Sequence, residues 1–386
     1  MKLGKTFVRF AWFAGAFPLV FASLGCGDEG PATPPVVVPP ADELKVEKIV
    51  VGKLLFFDTN LSTPAGQACA SCHDPESGFA EPHAELPVSQ GVLTWLVGNR
   101  NAPTAAYASR SPAFRYDETD GAYVGGQFWD GRAATLVDQA KGPFLNPVEM
   151  HNESRAAVIA AVEASAYADL FERVFGKGIF ATPDAAYDKV AEALAEFESG
   201  AEVNRFTSKF DFVALGKAMF TDSEARGKSL FETKGKCADC HTSKPASDGK
   251  PPVFTDFTYS NLGVPRNPDL PFYAMPPEYN PDGDKFVDRG LGPIVGKPSE
   301  DGKFKVPTLR NIGKTAPYMH NGVFVTLREV VEFYNTRDVK PQLGPPEVAE
   351  NVNTTDLGNL MLNEQDVDDL IAFMMTLTDG YVPPGK

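Results

Sequence analysis

The stretch Cys69-Ala70-Ser71-Cys72-His73 returns 168 residues later as Cys237-Ala238-Asp239-Cys240-His241. Two cysteines held two residues apart on one turn are placed to form thioether bonds to the vinyl groups of a haem. The histidine that follows is placed to bind its iron. One match in a chain of this length carries little weight and also suits half of a zinc site. Zinc needs four nitrogen or sulfur ligands; each cluster offers three, with the histidine joined directly to a cysteine. Two matches, each with its own helical segment, predict two covalently attached haem c groups. Cys69, Cys72 and His73 hold one, and Cys237, Cys240 and His241 the other; zinc or bare thiols are the alternative.

The other bounds agree with that reading. A chain of 386 residues, 43% of them hydrophobic, is long enough for two or three ordinary cores. A net charge of −15 argues against nucleic acid and suits a surface that steers a cationic partner. Four of the five cysteines belong to the two motifs, so no disulfide framework is left. The fifth is Cys26. Lys2, Lys5 and Arg9 precede an apolar run, Phe10 to Leu24, that is too short to span a bilayer and reads as an export signal. Ser23-Leu24-Gly25-Cys26 is similar to a bacterial lipobox, although Ser23 stands where that pattern has Leu; ordinary cleavage nearby with an idle thiol is the alternative. The expectation is a periplasmic protein whose contact with a membrane is limited to a lipid on Cys26.

Four segments follow: an export signal of lipoprotein type over 1–26, a Pro-rich tether over 27–42, and haem c domains over 43–205 and 206–386. Leu44, Val46, Ile49, Val50, Leu54 and Leu55 recur at helical spacing and predict an amphipathic helix ending near Asp58. Helices are also expected over Ser154 to Phe175, Pro183 to Phe197, Leu215 to Phe231, Thr326 to Asn335 and Glu364 to Leu377, the last capped by Asn363. Gly78 to Asp120 and Gly249 to Lys305 have turn-rich composition and are expected to wrap the haems as loops. No strand signal is convincing. The expected fold is mainly α, with two tandem cytochrome c-type domains, each wrapped around one covalently attached haem.

Further stretches carry a resemblance. Gly52-Lys53-Leu54-Leu55-Phe56-Phe57-Asp58, the two haem motifs, Arg100-Asn101-Ala102-Pro103-Thr104, Phe128-Trp129-Asp130-Gly131-Arg132 and Asn146-Pro147-Val148-Glu149-Met150 occur in that order. Val306-Pro307-Thr308-Leu309-Arg310-Asn311 and Ala316-Pro317-Tyr318-Met319-His320-Asn321-Gly322 follow. The chain resembles the bacterial dihaem cytochrome c peroxidases and MauG proteins from about Val51 to Leu377.

The resemblance implies an oxidoreductase whose N-terminal haem reacts with hydrogen peroxide and whose C-terminal haem collects electrons from a small donor protein, a cytochrome c or cupredoxin. Glu149 matches the family's catalytic glutamate, which moves a proton between the peroxide oxygens. Gln139 matches the glutamine sharing its pocket, and Trp129 the tryptophan between the haems. Asn101, with the carbonyls of Thr315 and Pro317, matches an inter-haem calcium site. A homodimer is also implied, though no interface is readable. The sixth iron ligands separate subfamilies. Where many members place a distal histidine this chain has Val92, so the first iron is expected to be open; His83 is the alternative ligand, and His151 and His320 fall outside known ligand positions. Tyr334 stands where many members have a ligating methionine and MauG proteins a tyrosine, with Met319 as its rival. Gly235 stands where MauG has a tryptophan. A MauG-like enzyme that oxidises a partner protein through high-valent iron, and a non-catalytic dihaem electron carrier, are the competing functions.

Overall fold

The computed structural model describes residues 41–245 and 249–383, apart from the side chains of Ala41 and Pro341; the expected export signal, Cys26 and residues 27–40 of the expected tether lie outside them. In chain order the helices are α1 Ala41–Phe57, α2 Leu136–Ala140, α3 Gly142–Leu145, α4 Arg155–Glu163, α5 Ala168–Phe175 and α6 Pro183–Glu198. They continue with α7 Lys209–Ala214, α8 Asp222–Phe231, α9 Leu291–Val295, α10 Leu327–Thr336 and α11 Glu364–Met375. Two antiparallel ribbons complete the set, β1 Arg115–Asp117 with β2 Ala122–Val124, and β3 Tyr259–Ser260 with β4 Phe304–Lys305. The fold is the expected mainly helical one, with two short ribbons that the sequence did not announce.

Each half is built around a pair of crossing helices: α1 against α6 in the first, α8 against α11 in the second. The crossings are equivalent. A Cβ added at Gly52 would overlap the carbonyl oxygen of Ala193 and lie 2.8 Å from the Cβ of Phe197. A Cβ at Gly227 would overlap the carbonyl of Asp369 and lie 2.9 Å from the Cβ of Phe373. One turn beyond each glycine, Phe56 meets Phe197 and Phe231 meets Phe373, with ring centroids 5.2 Å apart in both pairs. The glycines let backbone touch backbone, and the paired rings fill the wedge beside the contact.

Two apolar cores surround these crossings. The first gathers Val51, Leu55, Phe56, Val158, Val190 and Leu194; the second gathers Phe231, Phe254, Val331, Phe333, Leu370 and Phe373. Arg310, fully buried beside the second core, donates to both carboxylate oxygens of Asp211, to Ser208 Oγ and to the Pro252 carbonyl. A buried guanidinium is tolerable when its donors are satisfied in this way. From Ala41 onward the chain forms one compact unit. Val253 joins the first core, with Phe206 and Phe257 packed against it.

Four expectations are corrected. In α1 the buried stripe is Val51, Leu55 and Phe56, whereas Val46, Val50 and Leu54 are exposed by 61%, 44% and 40%. The face is set by Gly52, not by the bulkiest residues. The helix expected over Ser154 to Phe175 is two: it stops after Glu163, and the Tyr167 amide turns back to Ser165 Oγ before α5 begins. The helix expected from Leu215 begins at Asp222, because Gly216 adopts φ +68° and Thr221 caps α8 in a reciprocal arrangement with Glu224. The long loops also do more than wrap cofactors: Val88, Leu96 and Val97 pack on Leu270, Phe272 and Met275 in a third apolar cluster.

The crossings make a direct prediction. Gly227→Ala or Gly52→Ala must push two helices apart, a disturbance that typically costs about 1–3 kcal/mol and sometimes more. Both variants should show a clearly lowered thermal midpoint by circular dichroism. Gly98→Ala, whose added Cβ meets nothing closer than 3.6 Å, should leave it nearly unchanged.

Candidate functional site: two haem half-sites and the peptide between them

Each Cys-X-X-Cys-His begins as one tight helical turn, Cys69–Ser71 and Cys237–Asp239. The amides of His73 and His241 donate back to the carbonyls of Cys69 and Cys237 at 2.9 and 2.8 Å. Both imidazoles are then oriented by the same device. Nδ1 of His73 faces the Phe79 carbonyl at 3.3 Å, and Nδ1 of His241 faces the Phe254 carbonyl at 2.9 Å. A neutral ring donating from Nδ1 leaves the Nε2 lone pair for a metal. Burial lowers both imidazole pKa values, which favours the neutral ring. The supporting loops repeat as well: Thr104 Oγ1 donates to the Gly78 carbonyl, and Thr308 Oγ1 to the Val253 carbonyl.

The sulfurs are poor thiolates. Burial pushes Cys72 and Cys237 up to about 12 and Cys240 up to about 11, and raises Cys69 further. Among the described residues no group of three His, Cys, Asp or Glu side chains is arranged to hold a metal ion, so the zinc alternative finds no ligand set there. A haem does fit. Gln67, whose Nε2 reaches Cys72 Sγ at 3.5 Å, keeps its Oε1 buried without a hydrogen-bond partner; so does His320 with its Nε2. Such atoms are rarely left unsatisfied by the polypeptide alone. A cavity enclosing about 1760 Å³, including space open to solvent, is lined by Cys237, Cys240 and His241.

That second cavity gathers several predicted site residues. Tyr334, on α10, lines it, and burial together with Cys237 and Cys240 raises its phenol pKa. Met319 and His320 line it too. Asn101, Thr315, Pro317 and Trp129 border the same space. Asn101 donates from Nδ2 to the Pro87 carbonyl at 3.2 Å, and Trp129 Nε1 donates to the Asn101 carbonyl at 2.8 Å. Gly235 is also in the wall, where an added Cβ would sit 2.9 Å from the Leu230 carbonyl and 3.3 Å from Cys237 Sγ. The backbone leaves little room for a side chain there.

Glu149 lies in a different pocket, with Phe128, Arg132, Asp138 and Asn146. Asn146 Nδ2 donates to Glu149 Oε1 at 2.8 Å. Burial raises the carboxyl pKa, partly offset by the Arg132 charge and the Asn146 hydrogen bond. Arg132 stacks on the Phe128 ring, 3.6 Å from its centroid, and pairs with Asp130 at 3.0 Å. Gln139 sits half-buried on α2 and does not line this pocket. The Val92 amide donates to the Glu149 carbonyl at 2.9 Å, so the residue replacing a distal histidine lies beside Glu149 and its side chain carries no donor atom. His83 is 61% exposed and pairs with Glu85 at 3.3 Å, and His151 Nδ1 lies 3.1 Å from the Pro147 carbonyl. Two contributors escaped the sequence reading. Asn146 was visible in the Asn-Pro-Val-Glu-Met stretch, but its partner was not. Phe128, at φ +63°, lines both cavities, and Trp129 follows it in the second.

Two half-sites of this form define a tandem c-type haem protein. Comparison with known proteins agrees. A model of the di-haem cytochrome c peroxidase family matches residues 46–217, and a cytochrome c model matches residues 224–378. The methylamine utilization protein MauG of Paracoccus denitrificans is 42% identical over 363 residues, covering 89% of this chain and 91% of that protein. The cytochrome c551 peroxidase of Nitrosomonas europaea is 31% identical over 329 residues, covering 85% and 79%. The crystal structure of the diheme peroxidase BthA from Burkholderia thailandensis superposes with a TM-score of 0.77 at 34% identity, covering 89% of this chain and 87% of that one. The chain belongs to the di-haem cytochrome c peroxidase and MauG family, is an oxidoreductase of peroxidase type, and carries two covalent haem c groups.

Replacing Cys69 and Cys72 together by Ser, or Cys237 and Cys240 together, should remove one covalent haem and leave the other. A pyridine haemochrome assay would then read about half the wild-type haem per chain.

Proposed function

We propose that the enzyme reduces hydrogen peroxide to water at the first haem, with electrons from a small periplasmic cytochrome c or cupredoxin entering at the second. The observation that carries this is Glu149, a buried carboxyl held by Asn146 in a pocket that shares Phe128 with the second haem cavity. When bound, the haem supplies an iron that takes a peroxide oxygen and passes electrons. The chain supplies the proton chemistry. Ionised Glu149 accepts the proton of the nearer oxygen and returns it to the farther one, so that oxygen leaves as water when the O–O bond breaks. Two electrons and two protons in total convert one peroxide into two waters. Asn146 occupies Oε1 and leaves Oε2 for this transfer. Val92, whose side chain has no lone pair, would offer the iron of the first haem no ligand. Gln139, outside the lining of the Glu149 pocket, takes no direct part in this reading, and Trp129 carries electrons between the cavities.

A calcium ion completes the reading. Asn101 points Nδ2 at Pro87, which leaves Oδ1 for a hard cation beside the Thr315 and Pro317 carbonyls, with water filling the shell. No helix among the described residues is long and apolar enough to cross a membrane. Residues 1–26 would export the chain, and a lipid on Cys26 would anchor it.

A MauG-like oxidation of a partner protein is the second reading, favoured by Tyr334 in the second cavity and by the 42% identity to a MauG protein. Gly235 counts against it. Spectra of the resting diferric protein with one equivalent of peroxide, followed by turnover with reduced cytochrome c, separate the two. Steady turnover supports the peroxidase; bleaching without turnover sinks it. Tyr334→Met should raise the second haem's potential if the phenol ligates the iron, since thioether sulfur favours the ferrous state.

Glu149→Gln should lower peroxide turnover by ~10²–10⁴-fold. The wild-type rate should fall on acidification through a pKa above the 4.5 of an unperturbed glutamate, because the base form does the work. The variant should lack that acid limb in its kcat/KM profile.

A further inference from the structure

Lys305 is placed where no function described so far uses it. It is the second residue of β4, paired with Tyr259 across the ribbon, and its amide donates to the Trp129 carbonyl at 2.8 Å. Its neighbours in sequence are engaged elsewhere: Phe304 stacks on His320 with centroids 3.7 Å apart, and the Val306 amide donates to the Thr258 carbonyl. The Lys305 side chain lines the second haem cavity, with Nζ 5.9 Å from the centroid of the Phe257 ring, another lining residue.

What Lys305 lacks is an anion. Among the described residues no carboxylate lies within ion-pair distance of its Nζ, and burial alone moves its pKa, down to about 8. The acids around the same cavity are engaged. Asp288 is taken by Arg100, Glu347 faces His320 at 3.9 Å, and Asp356 accepts from Asn353. Arg100 is balanced by Asp130 and Asp288, and Lys236, also in the wall, donates to the Thr355 carbonyl. A lysine held in a low-dielectric cavity without a counter-charge is strongly disfavoured. The group that fills this cavity brings the missing charge. A haem fixed at its vinyl edge by Cys237 and Cys240 carries two propionate carboxylates on the opposite edge of the ring.

We propose that Lys305 is the counter-cation of a propionate of the second haem, held in the cavity that Cys237, Cys240, His241 and Tyr334 line. No bond is made or broken. The ammonium donates to the carboxylate and offsets its charge beside the iron. Because its backbone hangs from Trp129, the contact ties the second haem's carboxylate edge to the peptide between the cavities. The assignment rests on haem attachment at Cys237 and Cys240, and stands whether the enzyme reduces peroxide or oxidises a partner.

The test uses the diferric holoprotein with haem propionates carrying ¹³C from labelled δ-aminolevulinate. Redox-difference infrared spectra read those carboxylates separately from Asp and Glu, and EPR-monitored potentiometry reads each iron. Lys305→Met should shift the propionate bands and raise the second haem's affinity for its ferric state, lowering its potential, since a nearby cation favours the ferrous state; the first haem is unchanged. Lys303→Met, the same loss of charge at a residue paired with Glu300, should do neither. Unaltered propionate bands in Lys305→Met overturn the assignment. So does a shift confined to the first haem, or one that Lys303→Met reproduces. Should Lys305→Met not take up its second haem, Lys305→Arg decides: a guanidinium at the carboxylate moves the bands and keeps the potential near wild type, and unmoved bands overturn the proposal.

Discussion

Two backbone contacts set the geometry on which the rest of the molecule depends: α1 on α6 at Gly52, and α8 on α11 at Gly227. At each, a helix without a side chain rests on a carbonyl of its partner, and a phenylalanine pair closes the angle beside it. Close approach leaves no adjustable side chain between the helices, so the crossing tolerates little variation. In the second half, α8 ends at Phe231, six residues before Cys237, so the crossing governs where the attachment turn begins. The first half reaches Cys69 through a longer approach. That approach is anchored by hydrogen bonds instead: the Gln67 amide donates to Ser62 Oγ, and Gln67 Nε2 to the Gln90 carbonyl.

From these crossings the same parts are laid out twice. A Cys-X-X-Cys-His turn is followed by a phenylalanine at positive φ, Phe79 or Phe254, whose carbonyl orients the histidine. A Pro-Thr pair, Pro103-Thr104 or Pro307-Thr308, braces the loop. The halves diverge on the remaining wall. The first offers a buried carboxyl and an aliphatic residue, Glu149 and Val92; the second offers a phenol and a thioether, Tyr334 and Met319. Equivalent scaffolds therefore present chemically unequal far walls.

Much of this was legible because the signals are local. Two five-residue motifs carry the haem chemistry, and the starts of α6, α10 and α11 follow from Pro183, Thr326 and Asn363. The losses share a cause. Apolar spacing marked Val46, Val50 and Leu54 as an inward face, but the true face is named by a glycine whose role is fixed by a residue far along the chain. The pairing of Val88 and Leu96 with Leu270 and Phe272 is equally long-range. Glu149 was singled out by a motif, whereas Asn146 and Lys305 acquire meaning only from the groups facing them.

Phe128 borders both cavities, and Trp129 borders only the second. The link between them is covalent: adjacent Cα atoms lie about 3.8 Å apart, and no hinge intervenes. Trp129 is tied through its indole to Asn101 and through its carbonyl to Lys305. A wall shared at one peptide bond leaves the two pockets no freedom to drift apart at that point: any displacement of Phe128 beside Glu149 is passed directly to Trp129 in the cavity of the second haem motif.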